Sequence, residues 1–390
     1  MELRKDPITR SWVRVGHRDD VPIPAYGCPL CAERSAGVAA VLELPSAHDA
    51  QVRVIPHFHP LYGIEGDAGR TADGIYDRMR PLGAHEIIIE SQDHNQTLAA
   101  MSDEQIERVL QAYAFRILDL KRDARFKYVT VFENRGALAG SEWAHPYSQV
   151  TATLFVPRRI LYELRSARQW YEEKERCVFC DIVRQEERQG KRIVDTQGDY
   201  VAFCPYASRV PFETWVLPRR HNHLFELPRH ECNRRHLATL LGRTLRRLTQ
   251  IAESYHLVLH TAPNIIHPKG ELSSYWRTIA EDFHWHIEIL PIVEHRSKSY
   301  SIKEVYFNAL LPEQAAQRLR ELDATVSVEP AAPVDVNLDP HQTVDQVVDQ
   351  AVHQAVHQAV AQPTRQTLSA TNSELRGDSR EVKPKIDPSA

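Results

Sequence analysis

Two Cys-x-x-Cys pairs constrain the fold of this chain more than any other feature. They begin at Cys28 and Cys177, and each is followed by the same succession of signals. A β-branched run leads to a histidine, a helical pattern comes next, and a further strand-like run follows a second histidine. The order Cys-x-x-Cys, strand, His, helix, strand, His and strand therefore occurs twice, which predicts an internal repeat.

Each repeat thus offers two thiolates and two imidazoles. Zinc prefers four such ligands in a tetrahedron, and a set of four leaves no position for water or substrate. No secretory signal is visible at the charged start of the chain, which favours metal binding over disulfides. The predicted ligands of two structural zinc sites are Cys28, Cys31, His94 and His145 in the first repeat, and Cys177, Cys180, His221 and His284 in the second.

Three residues near these motifs have simpler interpretations. His223 lies close to His221 and competes with it for the second site. Cys204 and Cys232 break the repeat, so we interpret them as ordinary core or surface thiols.

Helix signals and composition narrow the architecture. The first repeat has a capping box that begins at Ser102 and predicts a helix to about Asp123. The second helical pattern runs from about Pro228 to Tyr255.

The net charge is −4 with no strong basic field, which argues against nucleic-acid binding. No run approaches the roughly 18 apolar residues of a membrane helix, so we expect a cytoplasmic protein without membrane contact.

The segment 325–390 differs from the rest of the chain. Valine recurs every four residues in "TVDQVVDQAVHQAVHQAVAQ", and a polar, proline-containing stretch follows. A four-residue valine period drifts around a helix, and valine is a weak helix former. We therefore predict a low-complexity tail that is disordered or partly helical. His353 and His357 have metal-ligand spacing, but a repeat expansion explains them more simply.

Several motifs, in order, resemble the galactose-1-phosphate uridylyltransferase family of the histidine-triad superfamily. They are "CPLC", "VRVIP", "GAHEIIIESQDH", "FENRGALAGS", the His-Pro-x-x-Gln of "HPYSQ", and "HWHIEILP". The resemblance spans about residues 2–323 and implies an α+β fold. Two histidine-triad-like halves, each an antiparallel sheet with packed helices, would occupy 1–165 and 166–324.

The resemblance also implies a function. Members of the family transfer a nucleotidyl group between a UDP-sugar and a hexose 1-phosphate by a ping-pong route through a covalent intermediate. Their metals are structural, which agrees with zinc at both sites and leaves iron as an alternative at the second. A homodimer is a further expectation. By position, the phosphates and nucleotide would contact Arg18, Asn134, Gly136, Gly140 and Ser141, while Gln149 would steady the intermediate.

The sequence departs from the family where catalysis should occur. Tyr147 replaces the nucleophilic histidine, and Glu142 replaces a phosphate-binding serine. His57 stands where the family offers asparagine to the ribose. A phenol with a pKa of about 10 is a poorer nucleophile at neutral pH than an imidazole. His286 is the counterpart of Tyr147 in the second repeat and is a second catalytic candidate.

The sequence is compatible with three functions. The first is uridylyl transfer of the family type. The second is a diverged phosphorylase or hydrolase of a nucleotide sugar. The third is a non-catalytic, zinc-stapled nucleotide-binding protein, which the replacement at Tyr147 favours.

Overall fold

The computed structural model describes residues 1–16, 27–44, 52–227, 233–266, 276–293 and 306–325. Residues Met1–Ala331 form one compact unit. The predicted tail at 325–390 lies outside the described residues except for Thr325.

The described strands are β1 (Glu2–Lys5), β2 (Trp12–Val15), β3 (Leu42–Leu44), β4 (Val52–Pro56), β5 (Thr71–Asp73), β6 (Tyr76–Met79), β7 (Gly83–Ile89), β8 (Tyr128–Arg135), β9 (Tyr147–Thr153), β10 (Ile193–Gln197), β11 (Tyr200–Phe203), β12 (Thr214–Pro218), β13 (Ser254–His260) and β14 (His286–Ile292). The described helices are α1 (Ala32–Ser35), α2 (Asp103–Lys121), α3 (Arg158–Lys174), α4 (Val178–Gln189), α5 (Arg234–Thr249), α6 (Ile279–Asp282) and α7 (Pro312–Glu321).

Ten strands form one sheet in the order β10-β11-β12-β14-β13-β8-β9-β7-β4-β3. From the centre of the sheet to each edge, the strands of the two halves follow one another in the same order. β8, β9, β7, β4 and β3 correspond to β13, β14, β12, β11 and β10. The described pairings within it are antiparallel. The predicted repeat and α+β class are confirmed, and the two halves join edge to edge through β8 and β13.

Helices α2 and α5 share a core with one face of the sheet. The Ser102 hydroxyl accepts a hydrogen bond from the amide of Gln105, as the predicted cap requires. The second predicted helix was too long. α5 begins after its cap Asn233 and ends at Thr249, because the chain enters β13 at Ser254.

The opposite face of the sheet carries the predicted site residues that lie on its strands, namely Asn134, Tyr147, Gln149 and His286. In the second half it is covered by an apolar cluster that includes residues of α3 and α4. α3 runs without a break through residue 165, where the sequence predicted a boundary between halves. That boundary stays a prediction. None of the described helices has both the length and the apolar composition needed to cross a bilayer.

Candidate functional site

The structure brings together the four predicted ligands of the first repeat. The nearest ligand atoms of Cys28, Cys31, His94 and His145 all lie within 4.8 Å of one another. The Cys31 sulfur is 3.4 Å from Nδ1 of His94 and 3.7 Å from Nδ1 of His145. Cys31 caps α1, while the histidines lie after β7 and just before β9. Residues distant in sequence therefore converge at one end of the sheet.

The second repeat builds the same arrangement from Cys177, Cys180, His221 and His284. The Cys180 sulfur is 3.5 Å from Nδ1 of His221 and 3.6 Å from Nδ1 of His284. In both clusters the two imidazole centroids are 5.4 Å apart and the rings are inclined at 73°. His223, the competing candidate, is outside the cluster.

The donor geometry suits tetrahedral zinc. With metal–ligand bonds of 2.0–2.3 Å, the edges of such a tetrahedron are about 3.6 Å long, close to the sulfur–nitrogen separations above. His145 donates from Nε2 to the carbonyl of Ser91, and His221 donates from Nε2 to the carbonyl of Ala280. Each Nδ1 therefore keeps its lone pair for a metal.

A third group of potential ligands lies in the second half, and the sequence analysis had singled out only His286 among its members as a site candidate. It comprises Glu163, His260, His286 and Glu288. Nδ1 of His260 is 3.0 Å from Glu163 Oε2 and 3.1 Å from His286 Nε2. His260 and His286 are direct partners across β13 and β14, which is a pairing that only the strand register reveals.

This Glu/His cluster also has internal charge balance. Burial opposes ionisation of Glu163, but His260 beside it lowers the pKa of that carboxyl to about 2. Burial and the charge of His260 lower the pKa of His286 to about 4. Arg209 donates to Glu288 at 2.6 Å. Carboxylate and imidazole donors could hold a transition metal, although these ion pairs already neutralise much of the charge.

The catalytic role predicted for His286 stays a prediction. Its side chain is fully buried. The rings of Phe179 and Trp215 are each centred 5.0 Å from its own ring. A substrate would have to displace these aromatic groups to reach it.

Tyr147 is the first residue of β9 and is only 3% exposed. It packs with Leu30, Ile87 and Trp143 in an apolar cluster beside the first Cys/His site. Its hydroxyl accepts a hydrogen bond from the amide of Glu142 at 3.1 Å. Burial raises the pKa of Tyr147, so the phenol is protonated at neutral pH. Tyr147 thus fixes the position of Glu142, at the end of the glycine-containing loop that begins at Gly136.

That loop contains most of the predicted phosphate contacts. Gly136 follows β8 with φ of 83°, and Gly140 has φ of 72° after a short 3₁₀ turn. The Ser141 amide donates back to the Gly136 carbonyl at 3.2 Å, which closes the loop. Backbone amides in such a turn can bind an anion. Of the other predicted nucleotide contacts, Arg18 lies outside the described residues.

Two histidines that the sequence analysis missed contact predicted site residues. His85 Nδ1 accepts a hydrogen bond from the Leu61 amide, so its Nε2 donates to Gln149 Oε1 at 2.9 Å. His256 Nδ1 is 2.9 Å from Asn134 Oδ1. Period-two patterning on β7 and β13 could have placed both on this face, but not beside these partners. His57 stacks on His85 with ring centroids 4.0 Å apart.

Comparison with known proteins gives a consistent assignment. The model of the galactose-1-phosphate uridyl transferase N-terminal domain matches residues 63–157, and that of the C-terminal domain matches 163–330. The galactose-1-phosphate uridylyltransferase of Rattus norvegicus is 31% identical over 82% of this chain and 87% of its own. The enzyme of that name from Thermotoga maritima is 27% identical over 84% of this chain and its full length.

The ADP-glucose phosphorylase of Arabidopsis thaliana is 27% identical over 83% of this chain and 93% of its own. A solved uridylyltransferase structure has a TM-score of 0.67 at 26% identity, covering 82% of this chain and 98% of that chain. A crystal structure of an ADP-glucose phosphorylase from Arabidopsis thaliana with bound ADP-glucose has a TM-score of 0.65 at 26% identity, covering 83% and 99%. The chain belongs to the galactose-1-phosphate uridylyltransferase family.

Proposed function

We propose that this protein is a nucleotidyltransferase that exchanges a uridylyl group between UDP-glucose and a hexose 1-phosphate, most specifically galactose 1-phosphate. Its relatives carry the name of that activity. The observation that carries the proposal is the closed loop of Gly136–Ser141, which follows Asn134 at the end of β8, on the face of the sheet that bears Gln149.

Each site residue has a role in this proposal. The loop amides and Asn134 bind the phosphates, and Arg18 contacts the nucleotide. The side-chain amide nitrogen of Gln149 donates to the uridylylated intermediate, because His85 already occupies its carbonyl oxygen. None of these roles requires a metal ion.

The two Cys/His clusters would hold zinc as structural sites. Two thiolates and two imidazoles suit zinc at both places, and such a closed shell supplies folding free energy rather than a reactive position. Iron at the second site is less well matched, because that shell has no carboxylate. A homodimer and a cytoplasmic location stay predictions.

A nucleotide-sugar phosphorylase is the second candidate. The similarity to an ADP-glucose phosphorylase over most of both chains favours it. Both reactions begin with loss of a hexose 1-phosphate and differ in whether a second hexose 1-phosphate or inorganic phosphate accepts the nucleotidyl group. A non-catalytic nucleotide-binding protein, which the replacement at Tyr147 favours, stays a prediction.

A donor-by-acceptor assay separates these functions. Zinc-loaded protein is incubated with UDP-glucose or ADP-glucose, and with galactose 1-phosphate or inorganic phosphate. We expect the highest rate with UDP-glucose and galactose 1-phosphate, lowered by Ser141→Ala but not by the exposed control Ser166→Ala. A preference for ADP-glucose with phosphate would establish the phosphorylase instead. UDP binding without turnover in every combination would establish a binding protein.

A further inference from the structure

His256 lies on the same face of the sheet as the predicted nucleophile position. It pairs with Asn134 across β13 and β8, while Phe132 of β8 pairs with Gln149 of β9. Because side chains alternate along strands, His256, Asn134 and Tyr147 all project from one face. β13 and β9 are separated by one strand, so the backbones of His256 and Tyr147 are about 10 Å apart.

The hydrogen bond to Asn134 prepares the imidazole for attack. Asn134 Oδ1 can only accept, so Nδ1 of His256 carries the proton and donates across 2.9 Å. Nε2 then has an unprotonated lone pair, and it makes no hydrogen bond within the described residues. Partial burial lowers the pKa of His256, which favours this neutral form. An oriented, neutral imidazole with one nitrogen lone pair left over is the arrangement that nucleophilic catalysis requires.

The phosphate-binding loop reaches this histidine. Gly136 lies against Ser254, since a Cβ on Gly136 would be 2.2 Å from Ser254 Oγ. Ser254 and His256 project from the same face of β13 because they are two residues apart. A diphosphate at the Gly136–Ser141 loop would therefore lie beside the part of β13 that carries His256.

Other described groups on this face are less suited to attack. Tyr147 is buried and its hydroxyl is bonded to the loop amide of Glu142. Both ring nitrogens of His85 already have partners. His260 and His286 are buried within the Glu/His cluster.

We propose that His256 is the nucleophile of this protein and replaces the family position that Tyr147 occupies. The inference rests on the proposed uridylyl transfer. Nε2 attacks the α-phosphorus, the bond from that phosphorus to the bridging oxygen breaks, and glucose 1-phosphate leaves with the electron pair. An oxygen of the acceptor phosphate then attacks the same phosphorus, and the electron pair of the P–N bond returns to Nε2. The proton on Nδ1 stays with Asn134 as its acceptor throughout.

The test uses zinc-loaded protein and UDP-glucose labelled in the α-phosphate. Wild type should form a protein adduct that is lost in acid and stable in alkali, as a phosphoramidate is. Mass spectrometry after alkaline digestion should place it on the peptide that contains His256. His256→Gln should reduce label and exchange by about a thousandfold, with UDP affinity and zinc content preserved. Tyr147→Phe removes a hydrogen bond to the loop and so lowers the rate, but its adduct should still be acid-labile and map to the His256 peptide. The control His236→Gln, on helix α5, should keep the full label.

Each other outcome has a definite meaning. An acid-stable label that Tyr147→Phe abolishes would assign attack to the tyrosine and overturn the inference. An adduct mapped to any other residue would also overturn it, whether or not His256→Gln folds. Exchange by wild type without any adduct would reject a covalent histidine while leaving the transferase intact. Absence of both exchange and adduct would reject the proposed function, and the inference with it.

Discussion

Substituting Gly136 by alanine should damage the Gly136–Ser141 loop for two separable reasons. Its φ of 83° and ψ of 163° form a backbone conformation that is essentially restricted to glycine, and alanine there costs about 1–2 kcal/mol. The new Cβ would also lie 2.2 Å from Ser254 Oγ and 3.1 Å from Ser254 Cα. Relieving such an overlap typically costs a further 1–3 kcal/mol, so we expect a total of about 2–5 kcal/mol. Because the loop must move to escape, UDP affinity should fall by at least about tenfold.

Gly140→Ala is the matched control in the same loop. Gly140 also has a positive φ, at 72°, but nothing lies within 4 Å of its added Cβ. It should therefore cost only the backbone part, about 1–2 kcal/mol. Combining Gly136→Ala with Ser254→Gly should recover only the part of the stability loss that comes from the overlap with the Ser254 side chain. Urea unfolding and UDP calorimetry measure both effects, and equal losses for Gly136→Ala and Gly140→Ala would refute the reasoning.

Three further predictions concern stability. Lys121→Met should lower the free energy of unfolding in urea by about 3–5 kcal/mol, because Lys121 donates at 2.5 Å to Glu226 in the core. Adding Glu226→Leu should recover much of that loss. Unchanged stability of the single variant would contradict this prediction. Cys177→Ser should lower zinc from two ions per chain to one by elemental analysis and lower the melting temperature, whereas Cys204→Ala should keep both ions. Burial raises the pKa of Glu90 from 4.5 to about 7, so the folded state binds its proton more tightly and stability falls as pH rises through that interval. Glu90→Gln should therefore stabilise the protein at about pH 8 by on the order of 2–3 kcal/mol and have little effect near pH 4.5, and a pH-independent difference would reject this cause.

The parts of the fold that the sequence predicted depend on local signals. The Cys-x-x-Cys spacing and the strand–histidine order identified both Cys/His clusters, and Ser102 marked the start of α2. The residue types and spacing of zinc ligands can be recognised in a sequence even when the packing of the chain is unknown. Cys204, interpreted as an ordinary core or surface thiol, is buried in the core, whereas Cys232 lies outside the described residues.

The missed features depend on which strands become neighbours. The junction of β8 with β13 joins the halves and brings His256 to Asn134. The register of β13 with β14 brings His260 to His286, and α3 then adds Glu163 from another part of the chain. A single sequence contains no signal for such pairings, because antiparallel register is set by long-range packing. The length of α5 was misjudged for a related reason, since the helical pattern continues into residues that enter a strand.

The most direct test of covalent uridylyl transfer is a single turnover without acceptor. Zinc-loaded protein is mixed with a small excess of UDP-glucose, and released glucose 1-phosphate and intact protein mass are measured together. We expect a burst of glucose 1-phosphate equal in amount to the active sites, with a matching gain of one uridylyl group per chain. Addition of galactose 1-phosphate should then remove the adduct and form UDP-galactose. Bound UDP-glucose with neither a burst nor a mass increase would contradict the central claim.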